Sequence, residues 1–425
     1  MRLLSFLILF APVCTARNQA AMPLSLADAH KLALQNNPLI MAVKLNADAA
    51  YLVPVEYKAS YLPTLFGSVT GVGADTGTRL AAGGLNNPVV YNRIGTGVSI
   101  SQLLTDFGRT SNLVAMAELR AKAQDQTTET ARMQVLLATD RAYYSVLRAQ
   151  AVLNVAQETV KARQLVVDQI TALAQSKLKS QLDVSFAGVN LSTANLLLSQ
   201  ALNDLMSSQA DLANALALPN QTSFQLNEEP MPAPLPVRVE GLVRQALADR
   251  PEVKDLRLQQ SAAERFVKAE HALSYPTVSL AGTTGVVPTG QDQIPGKYGA
   301  VGVNLNIPIF NGGLYKARTT EAQLRARAII QNINDIESRI TRDVRVAYLN
   351  AVTALDRVGL AAELLKQAQL AQDLAQSRYE LGLSTIVELS QAQLNLTSAQ
   401  IANTTARYDY QAQRSLVDYQ TAALR

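Results

Sequence analysis

Two patterns of apolar residues alternate along this chain, and each occurs twice. The first has helical spacing. Leu136, Ala138, Ala142, Tyr143, Val146, Leu147 and Ala149 trace it in one half, and Ile329, Ile330, Ile333, Ile336, Ile340, Val344, Ala347, Tyr348 and Ala351 in the other. It runs over about 110–218 and again over about 314–424, with no internal proline. Each run breaks once, at 177–181 and at 381–384, which predicts two antiparallel helical hairpins. Arms of roughly 40–70 residues reach roughly 60–100 Å at about 1.5 Å per residue. Small residues on both faces suit helices that pack against neighbours on two sides.

The second pattern has a period of two. Ile94, Thr96, Val98 and Ile100 share one face, with Gly95, Gly97, Ser99 and Ser101 on the other; Val301, Val303, Leu305 and Ile307 oppose Gly302, Asn304 and Asn306. Strands are predicted at 65–72 and 94–102 in the first half and at 278–287 and 298–309 in the second, each pair flanking a loop rich in turn residues. Such lengths fit tilted strands across a bilayer. Four strands leave open edges that lipid does not tolerate, so a membrane reading requires several chains to pool their strands.

The order of signals is itself repeated, about 205–213 positions apart. Asn37-Pro38-Leu39 returns as Arg250-Pro251-Glu252, Tyr61-Leu62-Pro63-Thr64 as Ser274-Tyr275-Pro276-Thr277, Asp106-Phe107-Gly108 as Asn311-Gly312-Gly313, and Arg141-Ala142-Tyr143 as Val346-Ala347-Tyr348. An internal duplication follows. Its layout is a first repeat over 22–218 (short helices at about 26–35 and 42–58, strands about 64–103, hairpin about 106–218), a Pro-rich exposed linker over 219–236, and a second repeat over 237–425 (strands about 277–309, hairpin about 311–425).

Residues 1–21 read as a secretory signal: Arg2, then an apolar run from Leu3 to Val13, with cleavage after Ala16 or Ala21. Cys14 is the only cysteine, and Val13 stands where a lipoprotein site wants Gly or Ala. No later segment approaches the 18 apolar residues of a spanning helix. The chain has no Trp and 5% aromatic residues, which suits extended helices packed through small side chains. A formal charge of +4 without a basic, aromatic-studded stripe gives no nucleic-acid signature. Catalytic chemistry finds no residues to carry it. His30 and His271 are the only histidines, each within a helical pattern, and Gly71-Val72-Gly73-Ala74-Asp75-Thr76-Gly77 is not a nucleotide loop. No metal or cofactor is expected.

The run Leu26-Ala27-Asp28-Ala29-His30-Lys31-Leu32-Ala33-Leu34-Gln35-Asn36-Asn37-Pro38 resembles the TolC-like outer membrane efflux proteins. So do Tyr61-Leu62-Pro63, Ile307-Pro308-Ile309-Phe310-Asn311-Gly312-Gly313, and above all the tip Arg378-Tyr379-Glu380-Leu381-Gly382-Leu383-Ser384-Thr385-Ile386-Val387-Glu388-Leu389. The resemblance covers essentially the whole mature chain. It implies a mixed α and β membrane protein, a homotrimer with a 12-stranded outer-membrane β-barrel and a 12-helix periplasmic α-barrel. It further implies a passive exit duct for efflux or type I secretion, partnered by a periplasmic adaptor and an inner-membrane pump of RND or ABC type, and no enzyme activity. A periplasmic coiled-coil spacer without channel activity is the alternative, and an exported hydrolase with a helical insertion the weaker rival.

The same resemblance points to residues. Glu388 matches an acidic aperture position, the next one being Gln391 here, and Asp183 holds the equivalent place on the first tip. Three copies of one acid at a constriction favour cations. Tyr379 and Asp183 match positions that latch neighbouring hairpins, with Ser384 where a basic latch residue is expected. Gly382, Leu383 and Ser384 are the expected adaptor contact. The first tip is expected to be about four residues shorter than the second.

Overall fold

The computed structural model describes residues 22–79, 89–221, 223–290, 292 and 295–424. The signal segment and Cys14 lie outside them. In chain order the elements are β1 (Met22–Leu24), α1 (Leu26–Asn36), α2 (Pro38–Ala59), β2 (Thr64–Val72), β3 (Arg93–Thr105), α3 (Arg109–Gln175), α4 (Gln181–Ala215), β4 (Phe224–Leu226), α5 (Glu240–Asp249), α6 (Pro251–His271), β5 (Thr277–Gly290), β6 (Lys297–Asn306), α7 (Leu314–Glu380) and α8 (Ile386–Gln420). They fall into two compact units. One contains the described parts of Met1–Ile40, Arg132–Val243 and Asp343–Arg425, the other those of Met41–Ala131 and Arg244–Arg342.

The second of these units holds an antiparallel sheet in the order β2-β3-β5-β6. β6 stops at Asn306, three residues short of its expected end. Asn306 pairs with Thr277, the first residue of β5, and Pro308 beyond it has no N–H to donate. β5 in turn runs past Pro288 to Gly290, because the register with β3 shifts between Ile94 and Thr96, where a missing donor is tolerated. The apolar face of β6 finds no cover in the chain: Val301 is 79% exposed and Val303 66%. β2 and β6 are both edges, with Leu65, Phe66 and Val69 exposed on β2.

Helices pack below the strands in the same unit. Leu113, Met116 and Ala117 of α3 meet Ala262, Phe266 and Ala269 of α6 and Tyr57 of α2. Lys58 Nζ donates to Glu118 Oε1 at 2.8 Å, and Tyr51 Oη to Asp125 Oδ2 at 2.6 Å. α3 begins where it does because the buried Asp106 accepts from the Thr110 N–H at 2.7 Å. α2 starts at Pro38, earlier than expected, with the Asn37 side chain accepting from the Leu39 N–H. By length and composition α2 is also apolar enough to cross a membrane, which corrects the expectation that no such segment exists. Ala47 and Pro54 are its buried residues, whereas Met41, Leu45, Leu52 and Val55 remain exposed.

In the other unit the part of α3 from Arg132 on pairs with α4 in one hairpin, and the part of α7 from Asp343 on pairs with α8 in a second. The whole helices are 67 and 35 residues long in both cases. Their buried seams repeat every seven residues with small side chains: Ala187, Ala194, Ala201 and Ser208 on α4, Ala354, Ala361, Ala368 and Ala375 on α7, and Ala392, Ala399 and Ala406 on α8. A seven-residue repeat is coiled-coil geometry, and alanine at the seam lets helix backbones approach closely.

The Pro-rich linker is exposed over most of its described length, but one short strand ties it down. Its β4 pairs in parallel with β1, and Phe224 and Leu24 join a core with Tyr143, Leu147 and Leu212. Tyrosine hydroxyls fasten the chain beside it: Tyr143 donates to the carbonyl of Asn227 at 2.7 Å, Tyr410 to that of Ala233 at 3.2 Å and Tyr348 to that of Pro236 at 3.0 Å. Long apolar rings thus supply the core that the linker lacks, while their hydroxyls satisfy its carbonyls. His30 is engaged in the same unit, paired with the buried Asp140.

Candidate functional site

Both hairpin tips end one helix and start the next within five residues, 176–180 and 381–385, so the first tip is not shorter. The turns are the same. Leu178 N–H donates to the Leu173 carbonyl and Leu383 N–H to that of Arg378, while Lys177 and Gly382 adopt φ of 60° and 73°. This is a helix-ending turn through a left-handed residue. Lysine in place of glycine at its bend hid the equivalence.

The restarting helices are capped alike and differ in what the acid does. Ser180 and Asp183 form a reciprocal capping box, with Asp183 Oδ2 accepting from Ser180 N–H at 3.0 Å. That carboxylate is therefore occupied at its own helix start. Thr385 caps α8 by accepting from the Glu388 N–H at 3.3 Å, which leaves the Glu388 carboxylate free. It lies 3.4 Å from Arg378 Nη1, with both side chains about half exposed. Gln391 is exposed one turn on and donates to Asn395 Oδ1.

Tyr379 is buried against Ile170, Ile386 and Leu389. Among the described residues its hydroxyl has no hydrogen-bond partner, Asp183 included. Burial pushes the hydroxyl's pKa up, and the Asp183 charge adds to the effect. Lys179 lies over the ring, a residue not singled out from the sequence; its 205-residue spacing from Ser384 was the available signal. Ser384 has a buried hydroxyl without a partner. Gly382 and Leu383 are exposed, as are Leu178 and Leu182 on the first tip. Asn190 Nδ2 donates to Ser390 Oγ at 2.7 Å and ties α4 to α8 just behind the tips. Among the described residues no group of three or more His, Cys, Asp or Glu side chains could hold a metal.

A sequence model described as outer membrane efflux protein matches residues 29–218 and 242–418. The chain belongs to this family. Among its relatives, outer membrane protein TolC of Salmonella enteritidis is 24% identical over 414 residues, covering 94% of this chain and 82% of that protein. Outer membrane efflux protein BepC of Brucella suis biovar 1 is 26% identical over 326 residues, or 75% and 70%. The crystallised channel protein CusC shares the fold with a TM-score of 0.80 at 17% identity, covering 93% of this chain and 91% of that one. The family member described here is an outer-membrane protein with a role in efflux, and its relatives are channels rather than enzymes.

Proposed function

We propose that three copies of this chain form the outer-membrane exit duct of a tripartite efflux or type I secretion system. Each repeat of a duplicated chain supplies two strands and one hairpin, giving a 12-stranded barrel and a 12-helix periplasmic tunnel. The observation that carries this reading is the four-stranded sheet with two unpaired edges and an uncovered apolar face on β6. An open edge in lipid leaves backbone groups without partners, and closure with two further sheets removes every edge. The exposed stripe of Met41, Leu45 and Leu52 on α2 supports burial against a neighbouring copy in the same way.

Conduction in this assembly is passive. A periplasmic adaptor and an inner-membrane RND or ABC pump dock at the tips, with Gly382, Leu383 and Ser384 as the adaptor contact; the exposed Leu178 and Leu383 give that surface apolar anchors. Glu388 is the aperture acid, Gln391 a neutral second position, and Tyr379 with Asp183 the latch between hairpins. Single-channel recording of the detergent-purified mature protein in a planar bilayer tests the duct. Small, cation-preferring steps support it. A protein that stays soluble without detergent and never inserts would instead favour a periplasmic spacer.

A further inference from the structure

Arg163 occupies a position where the helix seam otherwise calls for a small or apolar side chain. On α3 the seam reads Ala149, Ala156, Arg163, Ile170, and 205 residues later α7 carries Ala354, Ala361, Ala368 and Ala375 at the equivalent places. Arg163 is only 6% exposed. Among the described residues no carboxylate pairs with it, and its side chain makes one hydrogen bond, from Nη2 to Thr397 Oγ1 at a long 3.5 Å. Burial pushes the pKa of the guanidinium down. A buried cation without a counter-charge is costly, and the cost falls when an anion reaches it.

The guanidinium lines a cavity of about 470 Å³ between α3, α7 and α8, all within one unit. Of the other polar groups in the lining, most are amides. Gln393 is as buried as Arg163, and Gln169, Gln372 and Gln400 line the same space. Glu158 is the only acid in the lining, and Lys161 Nζ holds it at 2.7 Å. The Thr397 hydroxyl is committed to the Gln393 carbonyl at 3.1 Å, so the donors left to a ligand are the guanidinium and the amide N–H groups, which match the oxygens of a carboxylate or phosphate. The volume is that of a small-molecule pocket.

We propose that this cavity is an oxyanion-binding site, which takes a small phosphate- or carboxylate-bearing anion on Arg163, with the Gln393 amide completing the ligand shell. An anion seated there contacts α3 of one hairpin and α8 of the other and ties the two hairpins together. The test of this site does not depend on conductance.

Inorganic phosphate titrated into the detergent-purified full chain, at constant ionic strength set with chloride, tests the site by calorimetry and by thermal melting. Saturable binding with a raised Tm is expected. Arg163→Met should weaken phosphate binding at least about tenfold, the size expected for losing a hydrogen bond from a charged donor. Gln393→Leu, which keeps the guanidinium, should weaken it less, and serves if Arg163→Met fails to fold. No binding to the wild type, as when a carboxylate of a neighbouring copy already fills the cavity, overturns the proposal. So does equal affinity in wild type and in whichever variants fold.

Discussion

Lys179 holds its Nζ 3.8 Å from the centre of the Tyr379 ring, so a cation from the first tip caps an aromatic of the second. Such a contact contributes about 0.5–1 kcal/mol when exposed and about 2 when desolvated. Lys179→Met should therefore lower the Tm, whereas Tyr379→Phe keeps the ring and removes a buried hydroxyl that has no acceptor among the described residues. If that hydroxyl latches onto a neighbouring hairpin, Tyr379→Phe raises basal conductance in bilayer recordings. Unchanged closed-state conductance would deny it the latch role.

The bend residues of the two tips make opposite predictions. Gly382 has φ of 73° and open space where a Cβ would stand, so Gly382→Ala costs backbone strain alone, about 1 kcal/mol. Lys177 already bears that strain at φ of 60°, and Lys177→Gly should recover about the same amount. Chemical denaturation of the two variants should shift the midpoint in opposite directions. Equal shifts would mean that the tips do not share one turn.

In the sheet, Tyr298 lies over two glycines. A Cβ on Gly285 would come 2.4 Å from both the Thr96 carbonyl oxygen and the Tyr298 hydroxyl oxygen, while one on Gly302 would meet nothing within 4 Å. Gly285→Ala must move backbone and should destabilise by about 1–3 kcal/mol, with Gly302→Ala close to neutral. Folded yield and heat resistance on gel electrophoresis would separate them. A tolerated Gly285→Ala would mean that β3 and β5 are further apart than this register places them.

These particulars mark how far the sequence could be read. The alternation at Ile94–Ser101 gave strands because one face is greasy and the other small, a local property of a strand. The end of β6 depended on where β5 starts, and the burial of Phe224 on a pairing with Met22 about 200 residues away; no local window contains either. The tip equivalence was obscured because Lys177 accepts a left-handed backbone that usually signals glycine. Glu388 and Asp183 could be placed at matching positions, but only the capping geometry separates a carboxylate held by its own helix from one left free. The burial of Arg163 has no local signal either, since burial at a seam is set by what three helices enclose.

Asp255 offers a pH test away from the tips. Burial pushes its carboxyl pKa above the ordinary 3.8, with the Gln259 amide hydrogen bond working against the rise and the Glu252 charge adding to it. A raised carboxyl favours the folded state while it is protonated. That contribution is present below about pH 3.8 and is lost as pH rises through the folded-state value. Asp255→Asn keeps an oxygen for Gln259 and should raise the Tm at pH 7, the advantage shrinking as pH falls toward 4. A gap that stays constant with pH would place the effect in packing instead of ionisation.

Selectivity should follow the balance between Glu388 and Arg378. Their 3.4 Å contact joins side chains that are 45% and 55% exposed, so each pair contributes at most about 1 kcal/mol and leaves much of the acid's field intact. In a trimer the three acids add at one constriction, which attracts cations, and the three arginines partly offset them. Glu388→Ala should therefore lower the cation-to-anion permeability ratio, by about twofold or more. Arg378→Ala should raise it, because the acids lose their partners and keep their charge. Reversal potentials in a salt gradient, measured on both variants and on the double variant, decide the matter. If the double variant matches Glu388→Ala, the arginine acts only through its acid; if neither single change moves the ratio, the selective ring lies elsewhere along the duct.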